Sequence, residues 1–444
     1  MKKLGLHIIA SLVLFCGCST LLADNDGSSN ISGGETMDFD TQILLGSCYY
    51  RTTDAGEILT TINKINSVDR KNSFKDWCET WYHEWLSLAE RIENNAKESE
   101  FNKHPISARN SYLRAAAYFA TSAVFIDGTK DPSRGVSAWE CHHNCWKKFY
   151  DLMEAEEVNI TYGDTTIPGC LFRPKNGNAP FATIIFNNGS DGPTSAMWGC
   201  GVAGALERGY AALVFDGPGQ NSMLWENHIP FRPDWENVIT PVIDFLKTRN
   251  DVDPNKIVLS GISQGGYWVL RALAFLDDKH KIAAGILDPG VMDVSTAWFF
   301  PGFPDNDMLD DLKNNREEEF NMKMKEGLDT NAAFKQNMLW RMKPYCTDSF
   351  FQVYKKVQDY KVSIDDIKKI TCPMFIADPE GEQFWPGQSQ AVYDALTPQQ
   401  KEKSKIIKFT KEEGSNWHCE PMARSLYDQR MFDWLATVVP SNLP

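Results

Sequence analysis

Ser263 lies in Gly261-Ile262-Ser263-Gln264-Gly265, between an apolar run at residues 256–260 and a helix-like segment at 267–275. A serine hydroxyl lifted out of a sharp strand-to-helix turn needs glycine two residues before and two after it, because a side chain at either place would collide across the turn. The pattern reads as a nucleophile elbow, with the turn Asp251-Val252-Asp253-Pro254-Asn255 leading into its strand. Serine is a weak nucleophile at neutral pH, so the chemistry also requires a base to take its proton and an acid to orient that base. With the serine on such an elbow, acid and then base follow it in the chain.

Only two histidines lie beyond Ser263. His280 sits in the charged run Asp277-Asp278-Lys279-His280-Lys281 and reads as part of a solvated turn. His418 sits in a small-residue loop at 412–421, after the strand-like run 405–409 and before a final helix over 424–437. That is the carboxyl edge of a last core strand, where a general base would hang beside the serine. The acid is expected in the loop after the strand-like Met374-Phe375-Ile376-Ala377, which offers Asp378, Glu380 and Glu382. For the oxyanion, the amide of Gln264 is one donor, and the loop at 187–192 after the apolar run 182–186 supplies the second, Ser190 before Gly189.

These residues need a scaffold that brings distant loops to one edge. Short apolar runs at 159–162, 169–172, 183–186, 211–215, 257–259, 283–287, 373–376 and 406–409, with helical segments between most of them, predict an α/β sheet covered on both faces. Ahead of it, Phe74, Trp77, Trp81, Trp85, Leu88 and Ile92 at helical spacing, then Tyr112 to Phe119 and Trp139 to Met153, predict a helical cap. An insertion at about 295–362 has helical periodicity and predicts a lid over a largely apolar pocket. The boundaries implied are a signal at 1–18, a flexible tether at 19–58, the cap at 59–155 and the catalytic core at 156–444.

Phe215-Asp216-Gly217-Pro218-Gly219-Gln220, Pro233-Asp234-Trp235-Glu236, the elbow extended to Gly266-Tyr267, and Glu413-Gly414 through His418-Cys419-Glu420-Pro421 together give the chain a recognisable look. From about residue 60 to the end it resembles the α/β-hydrolases grouped with 2,6-dihydroxypseudooxynicotine hydrolase and the fungal polyketide-shortening hydrolases. The resemblance implies a mostly parallel sheet behind an amino-terminal helical cap, and a triad of Ser263, Glu382 and His418. Glu382 takes the acid position because Glu382-Gln383-Phe384-Trp385-Pro386 has the acid-x-apolar-apolar-Pro form found after the seventh strand of many such enzymes; the better-known members carry aspartate there. Known members include enzymes that cleave a carbon–carbon bond beside a ketone, so the expected reaction is hydrolysis of a carboxylic ester or of such a bond, without a cofactor. Asp288, after the sixth strand-like run, stands outside the triad. The other function class is a ligand-binding lipoprotein that keeps the fold without the chemistry.

Location is read from the start of the chain. Met1-Lys2-Lys3 is basic, residues 4–15 are apolar, and Gly17 places a small residue before Cys18. This resembles a bacterial lipoprotein signal, too short to cross a bilayer as a mature helix, with Cys18 as the lipidated residue and the cell envelope as the destination. Residues 19–37, rich in Ser, Gly, Asn and Asp, cannot bury a core. The net charge of −14 argues against a nucleic-acid partner. The expected partners are a small-molecule substrate, the membrane through the lipid alone, and a second copy in a homodimer. Cys141-His142-His143-Asn144-Cys145 lacks a companion cluster to complete a tetrahedral metal site, and its flanking Trp139, Trp146, Phe149 and Met153 place it on a core-facing helix. Nine cysteines remain beyond Cys16 and Cys18, an odd number without a disulfide framework.

Overall fold

The computed structural model describes residues 39–443 and, for the backbone alone, 30–32 and 35–36. The expected signal peptide and Cys18 lie outside the described residues.

The core is an eight-stranded sheet. Its strands are β1 (Glu156–Tyr162), β2 (Thr165–Phe172), β3 (Phe181–Asn187), β4 (Ala211–Phe215), β5 (Val252–Ile262), β6 (Ala284–Asp288), β7 (Met374–Pro379) and β8 (Lys405–Phe409). They run in the order β8-β7-β6-β5-β3-β4-β2-β1. The pairs from β8 to β4 are parallel, and β2 pairs antiparallel with both β4 and β1. Every residue of β3, β4, β6 and β7 is buried, as expected of parallel strands covered on both faces.

Side chains alternate across the pleat and divide the core in two. Ile185, Leu213, Leu259, Leu287 and Ile376 face one layer, packed on α6 (Glu236–Lys247) and α7 (Gly265–Phe275). Ile184, Phe186, Val214, Val258, Ile286 and Phe375 face the other, packed on the carboxy-terminal helix 424–438 and on the amino-terminal helices.

Those amino-terminal helices are α1 (Phe39–Gly46), α2 (Ala55–Ile65), α3 (Phe74–Phe101), α4 (Pro105–Ser122) and α5 (Arg134–Leu152). Trp77, Trp81, Trp85, Leu88 and Ile92 form the buried stripe of α3, and Trp81 Nε1 donates to the Thr121 carbonyl of α4 at 2.8 Å. Their core is continuous with the second face of the sheet. One boundary differs from the sequence reading: the tether expected to residue 58 is already folded from Phe39. Leu44 and Tyr50 are buried, Asp54 caps α2 through Gly56 N and Glu57 N, and the Tyr50 hydroxyl donates to Asp428 Oδ2 at 2.6 Å. Two buried side chains and a cap secure this stretch, which the sequence reading joins to the polar tract at 19–37.

Between β6 and β7 the chain forms α8 (Asn306–Lys313), α9 (Glu317–Asp329), α10 (Ala332–Met342) and α11 (Phe350–Lys356), and α12 (Arg424–Val438) closes the chain. Helix α10 rests on the amino-terminal helices: Gln336 Nε2 donates to the Val124 carbonyl at 2.9 Å, Lys343 pairs with Asp127, and Trp340 packs beside Tyr82, Ile126 and Ala138. Among the described residues no helix is long and apolar enough to cross a membrane.

Candidate active site

Register brings the carboxyl ends of the central strands level: Asn187 of β3 pairs with Gly261 of β5, and Ile262 of β5 with Asp288 of β6. The loops carrying Gly189, Ser263, Glu382 and His418 all leave the sheet at this edge, where ligands of open α/β sheets bind.

Ser263 has φ +57°, the left-handed conformation that side chains other than glycine's seldom adopt. The surrounding glycines explain how the turn tolerates it. A Cβ on Gly261 would lie 2.2 Å from the Gly265 carbonyl oxygen, and one on Gly265 would lie 2.8 Å from the Asn187 carbonyl oxygen. The Ser263 amide donates to the Asp288 carbonyl at 2.6 Å, fixing the elbow to β6.

A hydrogen-bond chain leads away from the serine. Ser263 Oγ is 2.9 Å from His418 Nε2, and His418 Nδ1 is 2.7 Å from Glu382 Oε2. The histidine and glutamate side chains are only 5% and 4% exposed. The other carboxylate oxygen of Glu382 accepts the amides of Phe384 (2.9 Å) and Trp385 (3.2 Å). Burial pushes the Glu382 carboxyl up, but the facing His418 and these N–H donors outweigh it and hold the carboxyl below its ordinary range. Phe384, Trp385 and Phe39 surround the imidazole, with ring centroids 4.6, 5.7 and 6.4 Å away.

The other acids of the same loop lie elsewhere. Asp378 pairs with Lys408 of β8 at 2.9 Å, and Glu380 accepts the Lys411 amide at 2.9 Å. His280 pairs with Asp277 and Asp244 at the far surface. His142 is buried, its Nδ1 3.1 Å from the Ala116 carbonyl oxygen, and burial lowers its pKa to about 4. Among the described residues no group of three or more His, Cys, Asp or Glu could hold a metal ion.

Opposite the histidine, the loop after β3 presents backbone to the serine. A Cβ on Gly189 would stand 2.8 Å from Ser263 Cβ, so only glycine lets this loop come so close. The Gly189 amide is taken up by Asn188 Oδ1 at 2.8 Å, whereas the amides of Ser190 and Gln264 engage no acceptor among the described residues. Gln220 holds the loop in place, donating to the carbonyls of Asn188 (2.9 Å) and Gly189 (2.8 Å) and accepting the Gly217 amide (3.0 Å). Trp235 Nε1 donates to Asn187 Oδ1 at 2.6 Å. The supporting roles of Gln220 and Trp235 were not read from the sequence, although both sit in motifs noted there. Trp340, in the helical insertion between β6 and β7, reaches the same loop at Asp191 Oδ2, 3.4 Å away. A 570 Å³ cleft lined by Asn321, Lys325, Leu328 and Phe350, among others, belongs wholly to that insertion and holds none of these residues.

The arrangement is suited to attack of a hydroxyl on a carbonyl: His418 Nε2 is within reach of the serine proton, Glu382 would fix its tautomer, and the Gln264 and Ser190 amides are the candidates to receive the negative charge that would develop.

The prolyl oligopeptidase family matches the chain over residues 202–342, a span that holds Ser263 but neither Glu382 nor His418. Over 88% of this chain and 94% of its own, Hydrolase acrC of Aspergillus aculeatus is 27% identical. The 20-hydroxy-prefusarin hydrolase FUS2 of Gibberella moniliformis is 26% identical over 91% of this chain and 97% of its own. The crystal structure of 2,6-dihydroxy-pseudo-oxynicotine hydrolase superposes with a TM-score of 0.66 at 19% identity, covering 89% of this chain and 95% of that one. These likenesses run through the helical amino-terminal part as well as the sheet. The chain therefore has the α/β-hydrolase fold, and with named hydrolases matching it along most of its length it is an enzyme of the hydrolase class.

Proposed function

We propose that the enzyme hydrolyses a carbonyl compound, a carboxylic ester or a carbon–carbon bond beside a ketone, with Ser263 as nucleophile, His418 as general base and Glu382 as the orienting acid. The observation that carries this reading is the buried chain from Ser263 Oγ through His418 to Glu382, at 2.9 and 2.7 Å. In the first half-reaction Ser263 Oγ attacks the carbonyl carbon and its proton passes to His418 Nε2. The amides of Gln264 and Ser190 receive the oxyanion. His418 then protonates the leaving group, an alkoxide in an ester or a carbanion stabilised by a neighbouring carbonyl in a ketone, and water releases the acyl group by the reverse route.

Two further features bear on the substrate. Phe39, Phe384 and Trp385 present aromatic surface around His418, which favours an apolar or aromatic acyl component. The relative FUS2 is named for hydrolysis of 20-hydroxy-prefusarin, and the superposed structure for 2,6-dihydroxy-pseudo-oxynicotine, which supports a multifunctional organic substrate over a simple fatty ester. We also propose that the protein is exported and attached to the cell envelope through Cys18; this rests on the basic, apolar and Gly17-Cys18 pattern of residues 1–18.

The test is turnover on a panel of p-nitrophenyl esters, β-diketones and acylated phenols, with products identified by mass spectrometry. Ser263→Ala and His418→Ala should each lose on the order of 10⁴-fold or more in kcat, since such residues act as a unit. Full activity in either folded variant would remove the assignment. Cleavage confined to esters would exclude the carbon–carbon reaction.

A further inference from the structure

Immediately beyond His418 the chain is forced into an unusual path. Cys419 has φ +60° and Glu420 has φ +43°, two successive non-glycine residues in the left-handed region. Such strain persists only where the surroundings over-determine it. Here they do so through Asp288. Its carbonyl accepts both the Ser263 amide (2.6 Å) and the Cys419 thiol (3.4 Å), so one oxygen joins the elbow to the histidine loop. Its carboxylate accepts Arg424 Nη1 at 3.1 Å, and the same Nη1 donates to the Cys419 carbonyl at 2.9 Å. Serine elbow, histidine loop and α12 are thus clamped at one point.

Glu420 is fully buried in this clamp, beside Asp288. As carboxylates the two would only accept. Both oxygens of Glu420 and Oδ1 of Asp288 then have no hydrogen-bond donor. A proton on one acid converts that contact into a hydrogen bond and satisfies an orphan oxygen on each side. Charge leads to the same state. Around Glu420 stand Asp288 at the end of β6, Arg424 and Tyr427 on α12, Glu382 after β7, and Cys419 on its own loop, with Asp428 of α12 close to Tyr427 and Arg424, and Cys200 after β3 close to Asp288 and Arg424. Arg424 commits Nη1 to Asp288 and the Cys419 carbonyl, and although its charge lies near Glu420 and its Nε and Nη2 have no hydrogen-bond partner, no ion pair joins it to Glu420.

We propose that Glu420 stands as a neutral carboxylic acid whose O–H is donated to Asp288, and that this pair, locked by Arg424, is the positioning device that sets His418 against Ser263. The proposal rests on the hydrolytic reading of Ser263 and His418. Burial, with Asp288 alongside, pushes the Glu420 carboxyl well above its ordinary range, in keeping with this state. Glu420 touches no reacting atom; it acts through the loop that carries His418.

Three measurements on the purified full chain test it. Infrared spectra near pH 8 should show a protonated-carboxyl C=O stretch that disappears in Glu420→Gln; a band that is absent, or unchanged in the variant, overturns the protonation. Glu420→Leu keeps the site apolar but removes the donor, and should lower kcat on the order of 10²-fold with KM little changed, the loss expected when a catalytic group shifts by about 1 Å. Glu420→Gln, whose amide can donate where the acid did, should restore kcat close to wild type. A fully active Leu variant, or a Gln variant as impaired as Leu while still melting cooperatively, overturns the positioning role. Ser263→Ala separates the two readings: if it keeps turnover the hydrolytic site is wrong, while the infrared result, which needs no turnover, still decides the state of Glu420.

Discussion

Replacing Glu382 by glutamine changes one atom and should nearly abolish turnover, for a reason visible in the hydrogen bonds. One carboxylate oxygen accepts two backbone amides, from Phe384 and Trp385, and the other accepts His418 Nδ1–H. In Glu382→Gln the amide oxygen must stay with the two backbone donors, since turning the NH2 there would set three donors together. The NH2 then faces His418 Nδ1, and the imidazole can avoid a donor–donor clash only by carrying its proton on Nε2. That nitrogen, 2.9 Å from Ser263 Oγ, can no longer accept the serine proton. A wrong tautomer of this kind lowers kcat by about 10⁴-fold, with KM little affected; at one factor of ten per 1.36 kcal/mol this is about 5.5 kcal/mol of transition-state stabilisation. The assay is steady-state hydrolysis of an activated ester beside Asp378→Asn, whose wild-type carboxylate is engaged with Lys408 and should matter little. The variant should also alter stability against pH. Because the folded Glu382 carboxyl titrates below its ordinary range, its stabilising contribution is complete above the unfolded carboxylate pKa and is lost as pH falls through the folded value, so Glu382→Gln should flatten that acid limb. A Gln variant within tenfold of wild type, or a greater loss in Asp378→Asn, would refute the reasoning.

Gly189→Ala should cut kcat by about 10²-fold through displacement of the loop from Ser263, whereas Ser190→Ala, which leaves the backbone amide in place, should stay near wild type; parallel kinetics check both. Tyr50→Phe strips the buried Asp428 of a donor and should lower unfolding free energy by about 1–3 kcal/mol in urea melts, tying the segment before α2 to the stability of the core. Cys18→Ser should release the protein from the membrane fraction, and mass spectrometry of the mature wild-type terminus should find a diacylglyceryl cysteine; an unmodified terminus within residues 19–37 would mean ordinary secretion.

What was legible from the residues is what local chemistry encodes. Glycines two residues either side of Ser263 are demanded by a turn that leaves no room for a Cβ, and all-apolar runs such as 211–215 are demanded by strands covered on both faces. Those constraints are written within a few positions of the chain, so the sheet and the elbow could be read directly. The acid was harder, because Asp378, Glu380 and Glu382 share one loop and differ only in where the backbone turns them: Asp378 ends at Lys408, Glu380 at the Lys411 amide, and Glu382 at His418. The segment at 39–53 was misread because its folding depends on a partner 378 positions away, the Tyr50 to Asp428 bond, and on α1 packing so closely that a Cβ on Gly46 would lie 1.6 Å from the Pro421 carbonyl oxygen. Asp288, Glu420 and Arg424 were opaque for the same reason. In the chain they are an acid after a strand, a glutamate in a loop and the first residue of the final helix, each most simply explained as solvated. Only when β6, the histidine loop and α12 converge do they become a buried cluster with one cation for several acids, and it is this deficit of positive charge that gives Glu420 its proton and its role beside His418.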